Sequence, residues 1–218
     1  SSDVCSSDLI TDGNLSQGFN NISSPSGNII IVNQWEFGLP AAITTTGDVS
    51  LTSNQNLILN NSITTSGRIT LTANNGVEMR ADVTLDTTSG GTSPGGGNIT
   101  INGTVDSDST PRDLSLNGGT GGVLLVTGAV GSTKALDTLT VTNSGGATFQ
   151  STVDAATVAI SDSSASTTVA FQDDLTVTTG MTVANTANAY NVSITGSSNS
   201  VAGATSFSNR GVVTIGDG

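Results

Sequence analysis

A short phrase returns at a fixed interval along the first half of this chain. It reads Gly-Asp-Val-Ser-Leu-Thr at positions 47–52 and Gly-Arg-Ile-Thr-Leu-Thr at positions 67–72. Gly27 opens a copy one period before Gly47, and Gly97 opens another after a Gly/Ser/Pro insertion at positions 89–97, which lengthens that step by half a period. A fixed period in this range marks an array in which each unit buries its apolar face only by stacking on its neighbours.

Each unit carries the alternation that is typical of a β-strand. Apolar and polar residues alternate in Val49-Ser-Leu51, Ile69-Thr-Leu71 and Ile99-Thr-Ile101, which is the two-residue period of a half-buried strand. A β-sandwich also has short strands between turns, but it gives no reason for the same phrase to return at a constant interval. The sequence therefore predicts an all-β chain folded as a right-handed parallel β-helix (β-solenoid), with about 20 residues per coil.

This fold carries predictions about size and side-chain direction. We expect about ten coils and a length of about 45–50 Å at an inter-strand spacing of roughly 4.8 Å. Ser50 and Thr70 are expected to point outward, and neither Asp48 nor Arg68 should enter the core. The residues expected to point inward in aligned stacks are Val49, Leu51, Ile69, Leu71, Ile99 and Ile101.

The chain divides into three parts. We interpret residues 1–9 as a non-native scar, because their back-translation resembles the end of a sequencing adapter. Residues 10–26 are expected to be irregular, and residues 27–218 to form one continuous array. The insertion at 89–97 is expected to be a mobile loop that bulges from the stack, so deleting Ser89 through Gly96 should leave stability nearly unchanged.

The period loosens beyond Ser107, although the alternation continues. The steps between Val141, Ile160, Val177, Ile194 and Ile215 are unequal but close to one period, which we interpret as the same helix with variable turns rather than a second fold. We expect Phe149, Phe171 and Phe207 to fill the interior at coil corners. The chain stops in mid-pattern without a polar cap, as a piece of a longer protein would. Its terminal coils are therefore expected to expose unpaired backbone edges and to self-associate end to end.

Charge and cysteine content exclude several classes of function. The 218 residues carry a formal net charge of −12, with 5 Lys and Arg against 17 Asp and Glu. Such a chain lacks the basic footprint that nucleic acid or an anionic membrane surface requires. No run in the sequence approaches the roughly 18 apolar residues of a membrane span. Cys5 is the single cysteine and lies in the scar segment, so we expect neither a disulfide nor a thiolate site.

We assign no catalytic, cofactor-binding or metal-binding residue from the sequence. The chain has no His, which excludes an ordinary catalytic triad and an imidazole metal site. Asp106, Asp108, Asp173 and Asp174 are interpreted as solvated turn carboxylates, because they lack the Gly-Gly-x-Gly-x-Asp rhythm of calcium-binding β-rolls. No cofactor is predicted.

Three further features have both a structural and a functional interpretation. Asn54 and Asn74 share one slot in consecutive units and could form an amide ladder inside a turn. Threonines recur on several strands, where an ordered array could bind ice, although Thr simply suits exposed strand faces. Trp35 lies in an aromatic-poor chain and could be a ligand platform, but we favour packing at a bulged loop.

The repeats resemble those of a known family. The phrases at 47–52, 67–73 and 97–102 are similar to the repeats of filamentous-haemagglutinin-like exoproteins. Leu-Thr-Val-Thr at 139–142, followed by Gly-Gly-Ala-Thr-Phe at 145–149, is also similar to autotransporter passenger repeats. The resemblance covers about residues 27–218. It implies a right-handed β-helix exported by a Gram-negative bacterium through an outer-membrane transporter, by two-partner secretion or as an autotransporter, and secreted or displayed at the cell surface. The acidic, cysteine-free composition agrees with export.

The resemblance also implies a function. Many members are adhesins, so the expected function is a non-catalytic stalk or binding segment whose ligands lie on host cells, matrix or other bacteria. The alternative is a carbohydrate-active β-helix enzyme, either a polysaccharide lyase or a hydrolase. That alternative requires two or more carboxylates beside a basic group in one cleft. The residues that would have to converge are Asp106, Asp108 and Arg112, with Asp137 or Lys134.

Overall fold

The computed structural model describes residues 9–12, 23–24 and 26–216. Within these ranges all regular structure is β-strand, and with no helix there is none that could span a membrane. The strands wind as a parallel β-solenoid in which equivalent strands recur about 22 residues apart. The predicted fold class is confirmed. Cys5 and residues 1–8 of the predicted scar lie outside the described ranges.

Three parallel sheets form the sides of the solenoid. In stacking order the first sheet contains β1 (Leu9–Asp12), β3 (Ile29–Asn33), β6 (Val49–Ser53), β9 (Ile69–Ala73), β12 (Ile99–Asn102), β15 (Leu124–Val126), β17 (Ala147–Phe149), β19 (Thr168–Phe171), β21 (Asn191–Ile194) and β24 (Val213–Ile215). The second sheet contains β4 (Phe37–Leu39), β7 (Asn56–Leu59), β10 (Gly76–Met79) and β13 (Val105–Ser107). The third sheet contains β2 (Ser23–Ser24), β5 (Ile43–Thr45), β8 (Ile63–Thr64), β11 (Val83–Asp86), β14 (Leu114–Asn117), β16 (Leu136–Asn143), β18 (Val153–Ile160), β20 (Leu175–Val183), β22 (Ser200–Val201) and β23 (Ala204–Phe207), the last of which also pairs with β20.

The predicted register is confirmed in the first sheet. Val49 pairs with Ile69, and Ile69 pairs with Ile99 across the longer step that contains the insertion. Ser50 and Thr70 lie on the outer face, while Asp48 and Arg68 are exposed. Successive side chains of a strand point to opposite faces, so a slip of one residue would invert this pattern. The six residues predicted to point inward are all at most 1% exposed: Val49, Leu51, Ile69, Leu71, Ile99 and Ile101.

The repeated glycine marks a corner where consecutive coils touch through their backbones. A Cβ atom placed on Gly47 would lie 2.5 Å from the carbonyl carbon of Gly27, and one on Gly67 would lie 2.5 Å from that of Gly47. On Gly97 it would collide with the carbonyl oxygen of Gly67. Only glycine fits such a close approach, which explains why this residue defines the period.

Polar side chains on both sides of the glycine tie the coils together. The Thr45 hydroxyl donates to the Gly27 carbonyl over 2.7 Å, and the Thr65 hydroxyl donates to the Gly47 carbonyl. Both hydroxyls are buried, and each also accepts from an amide of its own turn. After the glycine, Asp48 Oδ1 accepts from the Arg68 amide of the next coil over 2.7 Å. The corner therefore satisfies its own polar groups while it fixes the register.

The cross-section changes where the second sheet ends at β13. Beyond that strand a single residue, Val130, bridges Val105 to Val153 in parallel. Val153 begins β18, a strand of 8 residues that continues both the second and the third side of the coil. Its pairing with β20 shifts register between Ala155 and Thr157, which marks a β-bulge. A bulge bends a strand, so the later coils replace two short strands with one long bent strand.

The chain beyond Ser107 continues the same solenoid, as predicted, but the residues counted from Val141 to Ile215 do not form one stack. Val141 does pair with Ile160, and Ile194 does pair with Ile215. However, Val177 belongs to β20 of the third sheet, whereas Ile194 belongs to β21 of the first sheet. Strands of the first and third sheets have the same apolar alternation, so the spacing of apolar residues does not distinguish the two sheets.

Phe149 and Phe171 do fill the interior, as predicted: each is buried at the end of its first-sheet strand, and their rings stack with centroids 5.0 Å apart. Phe207 is only partly buried and packs against the core.

Coil number and length are close to the predictions. Within the described ranges the first sheet stacks ten strands, and the spacings between them add up to about 43 Å at roughly 4.8 Å each. Later steps of the first sheet are longer than the first ones: Val49 pairs with Ile69, but Ile99 pairs with Leu124. The segment 10–26, expected to be irregular, contains most of β1, which pairs Leu9 with Ile30.

The predicted amide ladder is also wrong. Asn54 and Asn74 do occupy one slot, since the preceding residues Ser53 and Ala73 pair. Both asparagines are exposed rather than inside the turn, and the Asn54 amide donates to Gln34 over 2.5 Å. The buried position is that of Ser53, whose hydroxyl donates to the Trp35 carbonyl over 2.6 Å. Register is therefore held by a hydroxyl inside and an amide outside.

The insertion at 89–97 is bonded to the next coil rather than left as a free bulge. The carbonyl groups of Pro94 and Gly95 accept from the amides of Thr120 and Gly121 over 2.9 and 2.7 Å. A Cβ atom on Gly96 would collide with the carbonyl oxygen of Gly118. The expectation that deletion would leave stability unchanged is therefore revised, because these contacts would be lost with the segment.

The glycine corner can be tested by Gly67→Ala. The added methyl group collides with backbone that cannot move without breaking the ladder, so we expect the free energy of unfolding to fall by about 1–3 kcal/mol. Gly95→Ala is the matched control, since a Cβ atom there meets nothing within 4 Å. Urea unfolding followed by circular dichroism measures both variants. Equal stabilities of the two variants would contradict the close-packed corner.

Tyr190 provides a second test, because it is the only tyrosine in the chain. Its side chain is fully buried, and its hydroxyl donates to the Ala184 carbonyl over 2.8 Å. Burial, with a smaller contribution from the Asp162 carboxylate, raises the pKa of Tyr190 from 10.0 to about 12. The neutral phenol thus stabilises the fold fully below pH 10, and that contribution is lost as pH rises towards the folded-state value.

Ultraviolet absorbance of the phenolate should therefore show a midpoint near pH 12. Circular dichroism recorded in parallel establishes whether the chain is still folded at each pH. A midpoint near pH 10 in the folded protein would contradict the burial of this ring.

Candidate functional site

The largest concentration of charged side chains surrounds a depression on the outer face of the second sheet, which we name the charged hollow. Its volume is about 420 Å³, within the range of roughly 300–1,000 Å³ that is typical of small-molecule sites. It lies beside β13, the last strand of this sheet. The polar and charged residues that line it include Asn56, Asn75, Glu78, Asp106, Asp108 and Lys134.

Strand alternation places the two aspartates on this face. Ser107 points inward and is 5% exposed, so its neighbours Asp106 and Asp108 point outward. The chain then returns past the edge of β13. The Ser107 amide donates to the Lys134 carbonyl over 3.2 Å, and Asp106 Oδ1 accepts from the amides of Thr133 and Lys134 over 2.7 and 3.2 Å. The hollow is therefore closed on this side by a loop that Asp106 holds in place.

Two ion pairs fix the remaining charges. Arg112 donates two hydrogen bonds to Asp108, from Nε to Oδ1 over 3.0 Å and from Nη2 to Oδ2 over 2.8 Å. Arg112, assisted by the Thr110 amide, holds the pKa of Asp108 below its ordinary 3.8. Arg80 donates to Glu78 over 2.6 Å, and this bond raises the pKa of Arg80. Both pairs are partly exposed, so they order the side chains more than they stabilise the fold.

The structure brings together several residues that the enzyme alternative requires. Asp106, Asp108 and Lys134 line one hollow, and Arg112 pairs with Asp108. Asp137 is exposed and only its backbone amide takes part, as a donor to the Arg112 carbonyl over 2.9 Å. Glycoside hydrolysis needs one carboxyl with a raised pKa as the acid. Asp108 has the opposite shift, and Asp106 is engaged by backbone amides.

The other aspartates of the sequence prediction lie in turns. Asp173 Oδ1 accepts from the Asp174 amide over 2.8 Å, and Asp174 Oδ1 accepts from the Ser198 amide of the next coil over 2.6 Å. Their interpretation as turn carboxylates is thus supported. Across the described residues, no group of three or more Asp, Glu, His or Cys side chains is placed to hold a metal ion.

Sequence reasoning missed two aspartates that organise loops. Asp86 is 9% exposed and accepts from the amide and hydroxyl of Thr88 over 2.7 and 2.6 Å. Asp162 lines a second hollow of about 300 Å³ beside the insertion, where it accepts from Thr186 and Asn188. Asp followed by Thr-Thr-Ser-Gly is a turn signal that could have identified Asp86. No local pattern marks Asp162, whose partners lie one coil later.

Comparison of the chain with protein-family models, with curated proteins and with solved structures finds no match in any of the three. The resemblance to exoprotein repeats therefore stays a prediction.

Replacing Asp106 separates a structural role from a chemical one. Asp106→Ala leaves the Thr133 and Lys134 amides without their acceptor, so we expect the free energy of unfolding to fall by about 1 kcal/mol, as at other capped turns. Asp106→Asn keeps an acceptor oxygen in the same place and should retain most of that stability. Chemical unfolding measures both variants, and equal losses for Ala and Asn would show that the carboxylate charge matters rather than the cap.

Proposed function

We propose that this chain is a non-catalytic stalk segment of a secreted or surface-displayed bacterial adhesin. The observation that carries the proposal is the unbroken interior column of the first sheet. Side chains that are at most 2% exposed continue from Ile31 through Leu71 and Phe149 to Ile194. Every coil is thus supported by its neighbours, as in other solenoid arrays. The result is a stiff element that holds its two ends at a fixed separation.

The outer surface suits a segment that stands in water. It is rich in Ser, Thr and Asn, and only 10% of all residues are charged. The repeats that resemble adhesin repeats are the same residues that build the first sheet and its glycine corner. A stalk of this kind contributes to adhesion by carrying a binding surface away from the cell, or by presenting one itself to host cells, matrix or other bacteria.

One observation favours the alternative, a carbohydrate-active enzyme. Asp106 and Asp108 share the charged hollow with Lys134. The hydrogen bonds of that hollow weigh against it, because Asp108 is paired with Arg112 and resists protonation, and Asp106 Oδ1 is engaged by two backbone amides. A lyase or hydrolase needs a carboxyl that can exchange a proton with its substrate.

The proposal is tested by display on a Gram-negative cell. The whole chain is placed between a signal peptide and an outer-membrane transporter, with an epitope tag at the end distal to the membrane. We expect intact cells to bind the antibody and to adhere more to matrix-coated surfaces than cells with the transporter alone. A Gly/Ser linker of equal residue number is the control, since it is flexible and takes many end-to-end distances.

Two outcomes would contradict this function. The first is retention of the chain inside the cell although the linker control is exported. The second is release of reducing ends or unsaturated sugars from acidic polysaccharides by the purified protein, with loss of that activity in a variant that carries both Asp106→Asn and Asp108→Asn.

A further inference from the structure

The charged hollow gathers most of the basic residues of an acidic protein. The chain has a formal net charge of −12 and 5 basic residues. Three of those five, Arg80, Arg112 and Lys134, lie in or beside the hollow, opposite Glu78, Asp106 and Asp108. The carboxylates of Glu36 and Asp82 add to the negative side, since, after the hydrogen-bonded partners Glu78 and Asp108, they help to raise the pKa of Arg80 and of Arg112 respectively. Positive and negative groups therefore alternate here without a basic excess.

Part of this polar lining is free to meet a ligand. Among the described residues the Lys134 ammonium makes neither an ion pair nor a hydrogen bond, and Asp106 uses only Oδ1 towards the backbone. Hydroxyl groups of Thr104 and Thr133 and the side-chain amide of Asn75 also line the space. The hollow therefore offers donors and acceptors side by side, held by a frame that the two ion pairs have already ordered.

Charge and shape exclude several ligand classes. An anion would face the carboxylates of Glu78, Asp106 and Asp108 and find one unpaired ammonium, that of Lys134. A cation would find carboxylate oxygens without a partner among the described residues at Asp106 Oδ2 and Glu78 Oε2, but the Lys134 ammonium lines the same space. An extended peptide would need a free strand edge, but β13 (Val105–Ser107) already pairs with Val130 and bonds to the Lys134 carbonyl. A neutral polyol fits, because each of its hydroxyl groups can donate to a carboxylate and accept from an amide or ammonium.

Trp35 extends this surface with an apolar platform. It is the only tryptophan of the chain and is 56% exposed, so the sequence-based interpretation of packing at a bulged loop is not supported. The residues in register with it in the next coils are Gln55 and Asn75, since Phe37 pairs with Leu57 and Leu57 with Val77. Trp35 thus lies on the same corner as Asn75 and two coils away, about 10 Å at roughly 4.8 Å per coil.

We propose that the corner from Trp35 to the charged hollow is a binding site for a short neutral oligosaccharide. The sugar hydroxyl groups bond to Asp106, Lys134 and Asn75, and an apolar sugar face lies on the Trp35 ring, which combines apolar area with a polar edge. This inference depends on the fold and not on surface display. Its failure would leave the stalk function untouched, and failure of export would leave the sugar site untouched.

Isothermal titration calorimetry of the full chain tests the site. The probes are cellotriose, maltotriose and chitotriose, with the trimer of galacturonic acid as the anionic comparison. We expect saturable binding of at least one neutral trisaccharide with a Kd of about 1 mM or below, and weaker binding of the acidic trimer. Quenching or a blue shift of Trp35 fluorescence, which has no other tryptophan to obscure it, should follow the same isotherm.

Variants locate the binding. Lys134→Gln and Asp106→Asn, which both keep the loop hydrogen bonds, should each weaken binding about tenfold or more, as expected for hydrogen bonds that involve a charged group. Arg68→Gln is the matched control, because Arg68 is equally polar but exposed on another corner. Trp35→Ala should also weaken binding, and an unchanged affinity in that variant would remove Trp35 from the site.

The proposal is overturned by any of three results. These are the absence of binding heat with all neutral trisaccharides at about 10 mM, equal affinities of Lys134→Gln, Asp106→Asn and Arg68→Gln, or preference for the acidic trimer.

Discussion

The approach of backbone to backbone at the glycine corner governs the rest of this molecule. Where Gly67 sits against Gly47, no side chain can separate the two coils. That contact sets the distance at which the flanking strands pair, and parallel pairing in turn aligns the inward side chains. One period is then the length of chain that leaves the corner, lines three sides and returns. Longer coils arise only where extra residues lie outside this circuit, as the insertion at 89–97 does.

Polar residues do as much as apolar ones to make this fold specific. An aliphatic core alone would tolerate a slip between coils, because Ile, Leu and Val replace one another readily. A slip would leave the buried Thr65 hydroxyl without its acceptor on the previous coil, and an unsatisfied buried group is costly. Asp48 makes the corresponding bond on the outside. The abundance of Thr, Asn and Asp near each glycine therefore reflects register as well as solubility.

The predictions from sequence succeeded where one period governs one face. Val49 to Ile101 repeat in a single sheet, so pattern and structure agree residue by residue. They failed where two faces have the same alternation: Val177 and Ile194 are indistinguishable by period, although they belong to different sheets. The sequence correctly placed Asn54 and Asn74 at equivalent positions of consecutive coils. It wrongly placed their amides inside the turn, because composition does not say which residue of a turn faces inward.

The charged hollow was only partly visible in the sequence. Asp106, Asp108, Lys134 and Arg112 were identified as residues whose convergence would matter, and most of them do meet. Glu78 was not identified, since it comes from the coil before and reaches Asp106 only through strand pairing. Trp35 is separated from Asp106 by an even longer stretch of sequence. Sites on a solenoid combine residues that are one period apart. When an insertion changes the length of a coil, the sequence alone does not show which residues become neighbours.

The end of the second sheet has a mechanical consequence. Hydrogen bonds between coils run along the solenoid axis, so a force that pulls the ends apart loads the coils in series, and the weakest junction yields first. At the junction that follows β13, Val130 is, of the residues that the structure describes, the only ladder partner on the second side of the coil, and hydrogen bonds of Asp106 and Ser107 with the following loop take the place of a strand. The first side is joined through the short pairing of β12 with β15. Earlier junctions have full ladders on these sides. Under tension the molecule should therefore part at this level, with coils on either side still wound.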